Sequence, residues 1–477
     1  MSFKSLLSGN KVNFTSLGCP RNLVDSEVML GILLKAGYEL TPDVEEADYL
    51  VVNTCAFLEA SRNESKAAID ELFQRKKSGA KVIVAGCMVN KHRSEIESAF
   101  PEVHYLLGSG DVEGILKAVE DGEKGAVLGK AKSYLEAGEV PRMISTPKNY
   151  AYLKIAEGCR KACAYCIIPK IKGPLKSKSS EQILKEFNAL LAQGVKEVIL
   201  IAQDLGDYGK DHKENNKNLA ALLKEILTIP GDYWIRLLYL YPDEITDEII
   251  DLMKNDSLNN ESRILPYLDM PIQHINDQVL QDMKRHTDSV QIKSTITQLR
   301  EKLPGIKIRT SLIVGFPGET ERQFQELCEF VQEYPLDHIG IFKYSQEEGT
   351  PAGAMEQQIP DEIKQRRLNK LAKIQQKISE KLNQKMVGKT LPVVIEGYHP
   401  ESKLLMVGRY YGQCPEIDGQ IIINDGRGVT AFNERYMVEI TAAAGYDLIG
   451  RVVKAPSSPA QLNSLPKPKK SGLKIVS

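Results

Sequence analysis

The sequence predicts an α/β protein in three parts, and three observations carry that prediction. Apolar strands and amphipathic helices alternate through roughly the first hundred residues, six further strand–helix repeats fill 150–344, and short strands broken by Gly and Pro follow residue 389. A chain of 477 residues has room for about three domains.

In the first part, strands are expected at 12–17, 49–53 and 82–85, with helices over 22–36, 62–77 and after 85. This rhythm predicts a Rossmann-like parallel sheet with covering helices. Each strand ends within about two residues of a cysteine, in SLGC, VVNTC and VAGC. Open α/β sheets bind ligands at the carboxyl ends of their strands, so Cys19, Cys55 and Cys87 are expected to converge at one rim. The alternative is three ordinary buried cysteines.

The second part has strands at 150–156, 197–202, 234–241, 264–270, 307–314 and 338–344. Helices at 181–192, 219–227, 278–284 and 321–334 lie between them or follow. The pattern predicts a partial (β/α)6 barrel, with its chemistry at the strand C-termini. A trailing helix over 361–386 sets Ile363, Leu371, Ile374, Ile378 and Leu382 on one face. Strands at 393–396, 404–407, 420–423 and 436–441 predict a small C-terminal β-barrel. The expected domains are therefore 1–122, a linker 123–149, 150–386 and 387–454, with a disordered basic tail 455–477.

Composition narrows the functional classes. Hydrophobic residues at 42% and charged residues at 26% are ordinary globular values. Sixty-two Lys and Arg against 63 Asp and Glu leave a net charge of −1, so no global field recommends nucleic acid. No apolar run approaches the ~20 residues of a membrane helix, and residues 1–11 do not read as a secretion signal. A soluble cytoplasmic protein is expected.

The cysteines carry the chemistry. Eight in this length make no disulfide scaffold. Cys159, Cys163 and Cys166 form a C-x3-C-x2-C cluster in EGCRKACAYCIIPKIKG, directly after the first barrel strand. A structural zinc needs four closed ligands, and no fourth cysteine stands nearby and no histidine follows the cluster until His212. A four-iron cluster on three thiolates leaves one iron open to a small molecule. S-adenosylmethionine could chelate that iron through its amino and carboxylate groups, and its reductive cleavage would yield a hydrogen-abstracting 5′-deoxyadenosyl radical.

The cysteine loop resembles that of the radical SAM superfamily. The chain apart from its tail resembles the methylthiotransferase family within it, with a cluster domain, a radical SAM barrel and a TRAM β-barrel. One branch modifies an adenosine of tRNA and the other an aspartate of small-subunit ribosomal protein S-12. SLGCPRNLVDSE at 16–27, NTCAFLEAS at 53–61, RLLYLYP at 236–242 and CPEIDG at 414–419 are similar to the second. The tRNA branch typically has Gln-Met where this chain has Pro20-Arg21. Lys172 and Lys178 stand where the family has Arg, which keeps the charge but loses the planar fork.

The resemblance implies an auxiliary [4Fe-4S] cluster on Cys19, Cys55 and Cys87 and a SAM-binding one on Cys159, Cys163 and Cys166. It implies methylthiolation at the aspartate β-carbon, with both open irons facing one cavity. It also implies S-12 as a basic protein substrate, an electron donor such as flavodoxin or ferredoxin, a sulfur donor and contact with the ribosome. Gly315 in IVGFPGET resembles the superfamily's adenine-contact glycine. Gln203, Gln273, His274 and Arg309 fall near strand ends as candidates to reach SAM or substrate, with structural roles as the alternative. Cys328 reads as core and Cys414 as a loop residue. Between 391 and 450, eight acidic residues against four basic ones favour a basic protein over RNA. The other readings are a tRNA adenosine methylthiotransferase and an iron–sulfur carrier or electron-transfer protein.

Overall fold

The computed structural model describes residues 10–129, 141–212, 218–255, 262–454 and 474–476. Val, Ile and Leu runs buried on both faces make the first sheet. Lys11–Leu17, Tyr49–Thr54, Lys81–Gly86, Tyr105–Gly108 and Gly125–Val127 pair in that order, all parallel, with Glu39–Leu40 on the outer edge of Lys11–Leu17. Pro20–Lys35, Glu59–Arg75 and Cys87–Ala99 are its main covering helices. Gly125–Val127 lies within the stretch expected as linker, where three small or apolar residues gave little strand signal. The predicted basic tail lies outside the described residues, except Lys474–Val476, a short strand parallel to Lys11–Leu17.

The second sheet is the partial barrel. Tyr150–Lys154, Glu197–Ile201, Trp234–Leu237, Ile264–Asp269, Lys307–Val314 and His338–Lys343 pair in sequence order, all parallel. Helices connect its successive parallel strands and pack against them in the main core. Several helices start at marked caps. Ser179 and Thr320 each form a reciprocal capping box with a glutamine three residues on. The main core lies between strands and helices, and Cys328 is fully buried there.

A separate cluster fills the barrel lumen. Tyr152, Ile199, Ile201, Leu238 and Tyr267 meet Leu23 and Val24 of the first domain and Val394 and Cys414 of the last. Cys414 is therefore fully buried rather than a plain loop residue. The C-terminal barrel closes with five strands, Thr390–His399, Ser402–Arg409, Ile421–Asp425, Asp447–Lys454 and Glu434–Ala444. Asp447–Lys454 joins the four predicted strands; the glycine in its middle had obscured it.

Candidate functional site

Both thiol triads are products of strand ends. Gly18 and Gly86 take φ values of 88° and 99°, so each strand turns sharply before its cysteine. Cys19 then becomes the N-cap of Pro20–Lys35, and Cys87 opens the helix Cys87–Ala99. A side chain at Gly18 would bring its Cβ within 2.8 Å of the Cys55 Cβ, so this turn lies directly against Cys55. The three thiols feel one another: Cys19 pushes Cys55 up after burial does, and burial lifts Cys87 to about 11 against the pull of Lys172.

The second triad sits in a loop pinched at its base. Ala156–Glu157 and Lys176–Ser177 pair antiparallel, and the Cys159 N–H donates to the Gly173 carbonyl at 3.2 Å. Burial raises Cys159 to about 11 and Cys166 to about 12, with the neighbouring thiols adding to both. Among the described residues, the carboxylates of Asp204, Asp207 and Glu244 are the one set of three ligand atoms within 4.8 Å of each other.

The two triads share one rim. The short helix Ile168–Lys172 leaves the cysteine loop and enters the core of the first domain, where Ile167 and Ile171 pack with Cys87 and Met88. Asn90 Nδ2 holds the Ile171 carbonyl at 3.1 Å. Beneath the rim lies a buried charge network. Lys154 bridges Asp25 and Glu157, the latter at 2.5 Å. Lys172 contacts the same two carboxylates at 3.5 and 3.4 Å. Although burial opposes it, Lys154 and Lys172 hold the Glu157 carboxyl well below the usual range.

Arg21 spans the gap. Its Nη1 donates to the carbonyl of Ala202 at 2.8 Å, and its guanidinium lies 4.9 Å from the Tyr239 ring centroid. Burial would raise Cys19, yet Arg21 holds that thiol below its usual value and draws Cys166 down as well. One cation thus acts on a cysteine of each triad.

The other sequence-predicted residues divide by position. Gln203 donates to Glu157 at 2.6 Å, and its buried Oε1 has no hydrogen-bond partner among the described residues. Gln273 holds φ 71° and is pinned through its backbone between Ser311 and Ile313. Gly315 (φ 76°) gives its N–H to Glu319, and any Cβ there would strike Lys364. Arg309 is paired with Asp269 at 3.1 Å and with Asp418 of the C-terminal barrel at 3.5 Å. His274 is fully buried and faces Glu319 at 3.4 Å.

Sequence reasoning missed several rim residues. Lys154 had a signal, because a lysine ending a buried strand needs a carboxylate. Arg285 had none: its Nη1 reaches Cys163 Sγ at 3.6 Å, and its guanidinium lies 4.0 Å from the Tyr241 ring centroid. Lys161, between two cysteines, sits among Asp204, Asp207, Asp243 and Glu244 at 2.8–4.0 Å and clamps the loop to that acidic set.

Family profiles match three stretches: the uncharacterized protein family UPF0004 over 11–108, the radical SAM superfamily over 153–331 and the TRAM domain over 387–453. A ribosomal protein uS12 methylthiotransferase RimO of Protochlamydia amoebophila (strain UWE25) is 64% identical over 448 residues, which cover 93% of each chain. Its counterpart from Bdellovibrio bacteriovorus is 45% identical over 452 residues, covering 93% of this chain and 97% of that one. Among solved structures, the radical S-adenosylmethionine methyltransferase TsrM of Kitasatospora setae superposes with a TM-score of 0.53 at 15% identity. That likeness spans 72% of this chain and 77% of the other and concerns the fold alone.

Parallel partial barrel and matched profile together define a radical SAM enzyme. Identity on this scale, over nearly the whole length, places it further. The chain belongs to the RimO family of methylthiotransferases, enzymes that transfer sulfur-containing groups.

Proposed function

We propose that this chain installs a methylthio group on the β-carbon of an aspartate of small-subunit ribosomal protein S-12. In this reading Cys159, Cys163 and Cys166 hold a [4Fe-4S] cluster that binds SAM, and Cys19, Cys55 and Cys87 hold a second. Bound there, the cofactors supply a radical able to remove hydrogen and a sulfur to replace it. The observation that carries the reading is the joining of the two loops: Arg21, two residues after Cys19, bonds the Ala202 carbonyl at a barrel strand end, and Ile167 and Ile171 after Cys166 pack with Cys87. A reaction that removes one atom and delivers another needs both sources beside one carbon.

The chain's own residues do the positioning. Gly18 and Gly86 aim two thiols at the rim, and the ribbon at 156–177 fixes the other loop. Tyr239 and Tyr241 set their rings beside the guanidinium groups of Arg21 and Arg285. Gln203, through its unengaged Oε1, and Gln273, at its strained turn, are placed to meet SAM. Gly315 keeps its strand end flat against Lys364, and Arg309 acts from behind through Asp269.

The substrate assignment draws on the named relatives and on the stretches at 16–27 and 414–419. The acidic count of the last domain adds little, because Glu396, Glu416 and Asp418 are engaged with Arg409, Tyr150 and Tyr267. The reading brings with it a soluble reductant such as flavodoxin or ferredoxin, a sulfur donor and a cytoplasmic encounter with the ribosome. No helix among the described residues is long and apolar enough to cross a membrane.

Mass spectrometry of S-12 from cells with and without this protein tests the proposal. A gain of about 46 Da on one aspartate, H replaced by SCH₃, is expected. An unchanged S-12 sinks it, and a methylthioadenosine appearing in tRNA would move the assignment to the other branch. Anaerobic reconstitution should load about eight irons per chain, falling by about half when either triad is changed to alanine.

A further inference from the structure

The cations of the rim are not equivalent. Lys154, Lys161 and Lys172 each face carboxylates of the protein at 2.5–4.0 Å. Arg21 has no carboxylate within ion-pair distance among the described residues, although Glu157 acts on it electrostatically and its side chain also bonds Cys19; Arg285 lacks one too, but its guanidinium is taken up by the Pro271 carbonyl, Tyr165 and Cys163. One nitrogen is spent on the carbonyl of Ala202, and the guanidinium lies over the Tyr239 ring. Tyr239 itself is held at φ 62°, a backbone conformation that residues other than glycine rarely adopt. A guanidinium carries five donors in a planar fork, and a carboxylate takes two of them side by side.

We propose that Arg21 receives the carboxylate of the substrate side chain and so selects an acidic residue over its neutral isostere at the reacting position. This deepens the function given above and rests on it. In aspartate the carboxylate is bonded to the β-carbon that reacts, so its receptor must stand at the same gap between the triads. Arg21 is the cation that touches both sides of that gap, beside Cys19 and against the strand end at Ala202. An anion entering between two groups of thiolates is repelled by each, and a cation at the same place offsets that repulsion where water is scarce. The fork also fixes orientation: a bidentate grip at the carboxylate leaves rotation about one bond to present the β-hydrogens. The turn before Arg21 supports the placement, since Pro20 at the first helical position presets the backbone that aims it.

The test measures binding of the full-length, cluster-loaded protein to S-12 carrying either aspartate or asparagine at the modified position. The parent should bind the aspartate form about 10–100-fold more tightly, the range of a charge-assisted hydrogen bond. Arg21→Met should bring the aspartate form down to the level of the asparagine form while leaving the latter unchanged. Arg21→Lys should recover part of the preference, charge without the fork. Iron content and the visible spectrum of both variants should match the parent. A parent with no aspartate preference overturns the proposal, as does an Arg21→Met protein that keeps it. If S-12 from cells is unmodified and binds in neither form, the underlying function falls and this role with it. If S-12 is modified but its affinity ignores the carboxylate, only the role of Arg21 falls.

Discussion

Asp204 is 1% exposed and its carboxyl is pushed up to about 7, first by burial and then by Asp207 beside it. A carboxyl raised in the folded state keeps its proton between about pH 4 and pH 7, where the unfolded chain has already released it. Stability from this group therefore falls as pH rises through that window and is gone above it. Asp204→Asn should raise the melting temperature at pH 8 and leave it unchanged at pH 4. A variant melting with the parent at pH 8 would show that Lys161, 3.4 Å away, already compensates the charge. At this scale the six cysteines were legible, because strand ends and tight spacing are written in the order of residues. Arg285 and Tyr241 were not. They come from different strand–helix units, and what joins them to Cys163 is closure of the sheet, which no local pattern records.

At the scale of elements, the turn into each cysteine is the sensitive part. A Cβ on Gly86 would lie 2.5 Å from the Thr54 carbonyl oxygen and 2.8 Å from its nitrogen, at a φ of 99°. Gly86→Ala should shift Cys87 away from its partners and cost about half the bound iron. Gly37 has a similar φ of 96° but open space around it, so Gly37→Ala should keep its iron and serve as the control. Iron analysis of the two proteins decides, and equal loading would refute the role of the turn. Long buried strands were easy to read because a parallel sheet covered on both faces demands unbroken apolar runs, as in EVILI at Glu197–Ile201. Gly125–Val127 escaped because three residues carry no period, and its place is fixed by pairing with Tyr105–Gly108.

Across the whole molecule, the loop CPEIDG couples the last domain to the barrel. Asp418 accepts from Tyr267 Oη at 2.7 Å and from the Cys414 N–H at 2.8 Å, and pairs with Arg309. Removing a buried carboxylate strands its cation and donors, at a cost of about 3 kcal/mol. Asp418→Ala should split urea unfolding into two transitions, the C-terminal barrel first. A single transition at the parent midpoint would show that packing of Val394 and Cys414 suffices alone. The sequence suggested three consecutive units, and the chain order of strands agrees. What it could not convey was their interpenetration, since Leu23, Val24 and Cys414 look like residues of their own domains until they meet inside the barrel.

That shared filling bears on how such proteins can be recombined. A chimera that exchanged only the C-terminal module would inherit a stopper cut for another bottle. To seat properly it would have to carry over the residues that meet it from the host, among them Tyr150, Glu197, Arg236, Tyr267 and Arg309.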